Sequence, residues 1–475
     1  MKSLVLVAGP LAMLGTLAAG PPGAMAEPAW RVAGLALWMA LWWLTAVIPL
    51  EATALLPIVI LPLLGVGTLA EVTGAYADPV IFLFLGGFFI AATLERWELH
   101  RRFALSTVRL VGTDAPRVVL AFLLATAAVS MWISNTATAV MMLPIAAAVA
   151  GRSAGETSSG FQRALMLSIA YGASIGGVGT LIGTPPNAIF AANARELLGV
   201  EIGFGSWMLV GVPAAILMLA GCWLVLVRLF RVRGPVAGLA ERVEREAAQL
   251  PPPGLGERFV TAVFLLTAVA WVLREPKVIG GMRFPGLADL VPISDTGIAL
   301  VAALLLFIVP LPRARFRTAL DWPTARQVPW GVLLLFGGGL ALAGAFASSG
   351  LTRWIGGRIE ALHGAPFAVV VLACGTLFIW LTELTSNTAT AALGMPLLAS
   401  VATGLGLPAV PLMAAGALGA SMAFMLPVAT PPNAILFGSG LIDQRDMAKA
   451  GFWMNLVSMV VVTGVVLAWW SWAGP

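Results

Sequence analysis

The sequence is poor in the residues that most enzymes depend on. Only 10% of its 475 residues are charged, and it holds two cysteines and two histidines. A soluble domain carries about 25% charged residues, so this chain is not one. Cys222 and Cys374 sit far apart in apolar surroundings, which gives no disulfide framework and no thiolate metal spacing. His100 and His363 are isolated at loop edges, so no histidine-based metal site is indicated. No nucleophile is paired with a base, so the chain does not read as an enzyme and implies no cofactor.

Hydrocarbon fills the space instead. The chain is 60% apolar with a mean hydropathy of +0.96. Apolar runs of about 20 residues, each able to cross a bilayer as a helix, recur along its length. The fold class is an all-α polytopic membrane protein. A net charge of +5 could suggest a nucleic-acid partner, but basic residues also collect in the cytoplasmic loops of membrane proteins. The second reading accounts for the charge, and no nucleic acid is implied. Trp42, Trp43, Trp469 and Trp470 fall near span ends, as interfacial anchors do.

Two short polar phrases interrupt the apolar background, and each occurs twice. Ser134-Asn135-Thr136-Ala137-Thr138-Ala139 returns as Ser386-Asn387-Thr388-Ala389-Thr390-Ala391, with Pro144 and Pro396 at the same offset. Thr184-Pro185-Pro186-Asn187-Ala188-Ile189 returns as Thr430-Pro431-Pro432-Asn433-Ala434-Ile435. Gly86-Gly87 and Gly338-Gly339 precede them at equal spacing. Three matches in one order mean an internal duplication. Small polar residues, Gly and Pro at corresponding places in two apolar halves point to a transporter binding site.

Taken in order, an apolar run from Lys2 to about Ala19 precedes Ala24-Met25-Ala26. This has the look of a signal peptide, but a retained first membrane helix is the favoured reading. Spans follow at about 30–49, 52–66 and 78–95, then a basic loop over 96–117. Residues 118–150 carry the first SNTATA in a turn without loop-like charges and read as a re-entrant hairpin, whose irregular backbone protein must cover. The span 163–193 is interrupted at Gly183-Thr184-Pro185-Pro186-Asn187, because consecutive prolines cannot continue a helix. A span over 205–228 leads to a charged, proline-rich linker, in which Glu241 to Glu246 reads as a short solvated helix. The second half repeats the plan: spans at 258–273, 296–311 and 329–349, a hairpin over 366–402, a helix over 409–440 broken at Ala429-Thr430-Pro431-Pro432-Asn433, and a last span over 451–472. In all, about 11 transmembrane helices and two hairpins are expected.

Charge tests the orientation. With the amino terminus inside, Arg31, Arg195, Arg274, Lys277, Arg283, Arg353 and Arg358 fall outside and the other 20 of the 27 basic residues fall in the cytoplasm. An odd number of spans then separates the hairpins, so they enter from opposite sides as an inverted repeat.

A turn bearing Ser, Asn and Thr presents hydroxyl and amide oxygens, and a broken helix supplies carbonyls at Gly183 and Ala429. A desolvated hard cation needs such a cage of oxygens. Helix amino termini attract carboxylates. Neither turn and neither TPPN break contains Lys or Arg, so a dianion there needs a co-bound cation to neutralise it. Ser and Thr also glue membrane helices together, which explains one such phrase but not two copies each paired with TPPN, at 50 and 44 residues. Trp380 and Met131 near the turns read as packing residues.

The doubled SNT and TPPN resemble the divalent anion/sodium symporter family of di- and tricarboxylate carriers, over nearly the whole chain. The resemblance implies a homodimer in which a transport domain moves like an elevator against a scaffold. The scaffold would comprise residues 1–110 and 258–360, the transport part 111–232 and 361–475, and the cytoplasmic linker 233–257. It also implies a first sodium site at Ser130, Ser134, Asn135 and the Gly183 carbonyl, and a second at Thr382, Ser386, Asn387 and the Ala429 carbonyl, with Thr385 able to add an oxygen. Substrate carboxylates would meet Asn135, Thr136, Thr184, Asn387, Thr388 and Thr430, with Pro185 and Pro431 against the carbon chain. Glu383 fits the family pattern and is expected to be structural. One departure is Thr45-Ala46-Val47-Ile48-Pro49, where many members read TEAIP. The function implied is sodium-coupled symport of C4-dicarboxylates such as succinate, malate and fumarate, in the bacterial inner membrane. The alternatives are a sodium-independent exchanger and a carrier of sulfate, tricarboxylate or another oxyanion. A membrane enzyme or channel is the rival from another class.

Overall fold

The computed structural model describes the chain apart from residues 1, 113, 151–155, 236–240, 242–243, 246–247, 249, 251, 280–281, 312–315, 359–363 and 474–475. His363 and much of the Glu241–Glu246 run therefore lie outside the described residues. The first half holds α1 (Lys2–Ala19), α2 (Glu27–Thr45), α3 (Leu56–Leu63), α4 (Pro79–Arg96), α5 (Leu99–Val111), α6 (Ala115–Ser130), α7 (Asn135–Ala150), α8 (Glu156–Gly177), α9 (Pro185–Leu198) and α10 (Phe204–Leu229). The second holds α11 (Leu255–Leu273), α12 (Asp295–Ile308), α13 (Trp330–Ser348), α14 (Phe367–Thr382), α15 (Asn387–Leu405), α16 (Ala409–Ala420), α17 (Pro431–Gly438) and α18 (Gln444–Ala473). Among the described residues six helical stretches are long and apolar enough to cross a membrane unaided, and several shorter apolar helices accompany them.

Three local differences from the sequence reading have physical causes. The expected span over 52–66 is split into Leu50–Thr53 and α3, with Pro57 and Pro62 in the second piece. Strands β1 (Lys277–Ile279) and β2 (Met282–Phe284) form a short antiparallel pair in a loop of the otherwise helical fold. They flank Gly280-Gly281 in the sequence, and such a pair is a hairpin-turn signal. Both broken helices stop before their prolines. The unwound stretches are 178–184 and 421–430. Each Pro-Pro opens the following helix, where Pro lacks only a donor that has no partner anyway.

The site-bearing parts pack as two interlocked copies. Within each, the hairpin's first arm lies on the broken helix: α6 on α8, and α14 on α16. Between copies the contacts are reciprocal. Helix α9 lies on α15 and α16, α17 lies on α7 and α8, and α10 lies along α18. Small residues permit these approaches. A Cβ at Gly176 would lie 2.2 Å from Ala127 O and 2.5 Å from its Cα. The doubled Gly-Gly serves a comparable need. Gly86 meets Ala299 and Gly338 meets Ala54, while Gly87 faces Ile182 of the first unwound stretch and Gly339 faces Ala392 of the second hairpin.

Charged groups gather at helix ends. Arg274 Nε lies 2.6 Å from Asp295 Oδ1, and its guanidinium also reaches Glu275 and Glu201. Asp295 accepts from the Phe204 amide at 2.8 Å, and Arg195 pairs with Asp78. Arg163 and Asp446 join the starts of α8 and α18 at 3.1 Å.

The Gly176 contact is testable. Gly176→Ala should lower unfolding stability by about 2 kcal/mol, the scale of overpacking a tight interior, read as a drop in Tm of the detergent-purified protein. An unchanged Tm would contradict the close approach of α6 and α8.

Candidate functional site

Each hairpin folds a hydroxyl back onto its own SNT amide. Ser130, at the end of α6, is fully buried, and its Oγ lies 2.7 Å from Asn135 Oδ1 and 2.8 Å from Ala173 O on α8. Thr382, at the end of α14, repeats this at 2.7 Å to Asn387 Oδ1 and 2.8 Å to Ala420 O on α16. The turn between the arms is short in both copies. Ser134 Oγ accepts from the Ala137 amide at 3.2 Å, and Ser386 O accepts from the Thr390 amide at 2.8 Å. Thr385 Oγ1 sits 2.5 Å from Thr390 Oγ1.

The first cluster fits a cation. Ser130 Oγ, Ala173 O and Gly183 O all surround the end of the Asn135 amide. If the amide turns its nitrogen inward, it donates to them at 2.7, 3.1 and 3.3 Å. If its oxygen faces inward, oxygen meets oxygens, and a cation among them relieves the repulsion. Gly177 backs this spot: a Cβ there would fall 2.6 Å from Asn135 Oδ1 and 3.1 Å from Gly183 O. The residues present therefore suit a hard monovalent cation such as Na⁺ held by neutral oxygens. The second cluster offers the matching set of Thr382, Asn387 and Ala420.

The unwound stretches are held by the last residue of TPPN. Asn187 Nδ2 donates to Thr180 O at 2.7 Å and Gly177 O at 3.1 Å. Asn433 Nδ2 donates to Leu426 O at 3.1 Å and Ala423 O at 3.3 Å. Both asparagines are fully buried, and the bonds span the same seven and ten residues in each copy. Thr180 Oγ1 ties the first stretch to the hairpin turn at Met131 O, 2.5 Å away. Tyr171, fully buried on α8, donates to Phe424 O at 2.9 Å in the other copy's stretch.

Of the sequence-predicted residues, the structure brings Ser130, Asn135 and Gly183 together, and likewise Thr382 and Asn387. Ser134 and Ser386 shape the turns beside them. Thr184 and Thr430 are buried N-caps of α9 and α17, Pro185 and Pro431 open those helices, and Ala429 directly precedes its cap. Asn387 and Thr388 are half-buried and Thr136 is exposed, so they stand at the accessible edge. No hydrogen bond links the expected carboxylate-binding residues of one copy to those of the other among the described residues. Trp132, not singled out from sequence, stacks on Phe204 and Trp271 beside the first turn. The carbonyls of Ala173 and Ala420 and the two anchoring asparagines were also missed as parts of the site. The asparagines carried a signal, since both end a duplicated phrase. A carbonyl from an apolar helix carries none.

Doubled hairpin turns packed on doubled broken helices, in a chain of many apolar helices, define a polytopic helical membrane protein. A crystal structure of the Alcanivorax borkumensis YdaH transporter, reported as having an unusual topology, shares the fold. It has a TM-score of 0.59 at 14% identity, over 94% of this chain and 99% of that one. The chain belongs to the family described as the sodium:sulfate symporter transmembrane region, whose model matches residues 2–474. It is 39% identical over 472 residues to the sodium-dependent dicarboxylate transporter SdcS of Staphylococcus saprophyticus, covering 97% of this chain and 90% of that protein. The Staphylococcus aureus SdcS is 39% identical over 473 residues, with the same coverage. The family and these relatives are transporters, not enzymes.

Asn187→Leu removes the donor shared by Gly177 O and Thr180 O. Leaving buried carbonyls unpaired should cost about 2–3 kcal/mol and lower the Tm measurably. A stable variant with wild-type Na⁺ dependence would show that these bonds do not hold the site.

Proposed function

We propose that the chain is a sodium-coupled symporter of C4-dicarboxylates such as succinate, malate and fumarate. The observation that carries this is the pair of matching oxygen clusters at Ser130–Asn135–Gly183 and Thr382–Asn387. Each lies beside a helix amino terminus and is free of Lys and Arg. In this reading one Na⁺ binds at Ser130, Ser134, Asn135 and Gly183 O, and a second at Thr382, Ser386, Asn387 and Ala429 O. With these cations in place, the amino termini of α7, α9, α15 and α17 face a dicarboxylate whose charge is already balanced. Asn135, Thr136, Thr184, Asn387, Thr388 and Thr430 receive its oxygens, and Pro185 and Pro431 flank its carbon chain. The names of the SdcS relatives support sodium and dicarboxylate together.

The family's description names sulfate, which keeps a tetrahedral oxyanion as the second substrate class. Donors supplied twice over, by the SNT and TPPN phrases of each copy, suit two carboxylates better than one compact sulfate. The elevator movement, the homodimer, the inverted orientation of the copies, the plasma membrane and the cytoplasmic amino terminus belong to the same proposal. The reciprocal packing of α9 and α17 supports a single transport body made from both copies. The domain limits given above follow from that assignment.

The test is labelled succinate uptake into proteoliposomes under an inward Na⁺ gradient, compared with K⁺ and with sulfate as competitor. Uptake should require Na⁺ and no internal substrate, and Asn135→Ala with Asn387→Ala should abolish it while the protein stays monodisperse. Wild-type uptake by that double variant would remove the site assignment. Uptake driven by internal dicarboxylate and indifferent to Na⁺ would make the protein an exchanger.

A further inference from the structure

The two clusters share a hydroxyl, an amide and a helix carbonyl but differ in charge. The residue after Thr382 is Glu383, and the corresponding position after Ser130 is Met131. Glu383 is 3% exposed and reaches across to the second unwound stretch. Its Oε1 accepts from Phe424 N at 2.7 Å, Met425 N at 3.0 Å and Asn455 Nδ2 at 2.9 Å. Its Oε2 accepts from Met425 N at 3.0 Å and Leu426 N at 3.2 Å. Every one of these partners is an N–H donor. A protonated carboxyl would aim its own hydrogen at one of them, so the geometry suits the ionised form. None of the partners carries a formal positive charge.

The second stretch needs this carboxylate because it is longer, residues 421–430 against 178–184, and so frees more amides. The expected structural role is therefore real, but it leaves a net negative charge in a low-dielectric interior. Burying such a charge without a counter-ion is costly. Thr382 Oγ1, adjacent in the chain, is one of the oxygens of the second cluster, so a cation there would supply the missing charge.

We infer that Glu383 is a positioning residue that makes the two cation sites unequal, the second binding Na⁺ more tightly and filling first. This rests on the two-site reading above. The first Na⁺ to bind then cancels the Glu383 charge and fixes the second hairpin against its broken helix. The first site, lined by neutral groups alone, fills afterwards. A unit charge about 12 Å away at an effective dielectric of about 20 shifts an affinity about tenfold, and a nearer charge shifts it more.

The experiment titrates NaCl against choline chloride at constant ionic strength, without dicarboxylate. Tryptophan fluorescence and the Na⁺-dependent rise in Tm are read for the purified full chain. Asn135→Ala leaves the second site, and should keep a Na⁺ midpoint about tenfold lower than Asn387→Ala, which leaves the first. Adding Glu383→Gln to Asn135→Ala should raise the midpoint about tenfold. Adding it to Asn387→Ala should leave the midpoint unmoved, which a merely structural role would not predict. Equal midpoints in the two single variants would overturn the inference while leaving two sites standing. Unchanged Na⁺ binding in both would bring down the site reading and the inference with it. If the Glu383→Gln proteins aggregate, the comparison of Asn135→Ala with Asn387→Ala still decides the order of filling.

Discussion

A helix broken inside hydrocarbon frees peptide groups that water cannot reach, and each must find a partner in the protein. The two unwound stretches meet that demand in a divided way. Carbonyls of the first go to Asn187 and those of the second to Asn433. Amides of the longer stretch go to Glu383. Once these groups are satisfied, Gly183 O can be left at the Asn135 amide as part of a cluster whose size is set by the fold. The broken helix is thus stable enough to exist and incomplete enough to bind. Its neighbours follow from that: the glycines that let α6 and α8 approach, and the Tyr171 hydroxyl that links one copy to the other's stretch.

Much of this was legible in the sequence because the duplication is nearly literal. SNTATA and TPPN marked the turns and the breaks, while the Gly-Gly pair marked the duplication and gave no sign of the close approaches it serves. The hydroxyl four residues ahead of each SNT serine was also readable as a symmetry match, and it does reach its amide. The boundaries of the breaks were less accessible. Prolines advertise the end of one helix and the start of another equally well, and here they start α9 and α17. What supplies Ala173 O and Ala420 O could not be read, since a backbone oxygen has no letter of its own. The two short strands escaped because three-residue pairs carry too little periodicity to stand out from the apolar spans on either side.

Repetition at the level of phrases concealed a difference in charge. Glu383 and Met131 occupy one place in two copies that otherwise agree, and they do different work. In the first copy Met131 offers its carbonyl to Thr180, whereas in the second a side chain spreads across three amides. Duplication therefore fixes the pattern of oxygens, and the surrounding side chains remain free to give each half its own electrostatic character.

The Gly-Gly contacts have a consequence for motion. Gly86, Gly87, Gly338 and Gly339 meet Ala299, Ile182, Ala54 and Ala392, so most of these crossings join glycine to alanine or backbone. Such surfaces have few rotamers to freeze or release, and side-chain ordering is a large part of the entropy that long residues lose on contact. A seam of this kind is smooth in the mechanical sense. Of these, Gly87–Ile182 and Gly339–Ala392 join the proposed scaffold to the proposed transport part, whereas Gly86–Ala299 and Gly338–Ala54 lie within the scaffold, so the proposed movement would slide two of the four contacts and leave the other two packed.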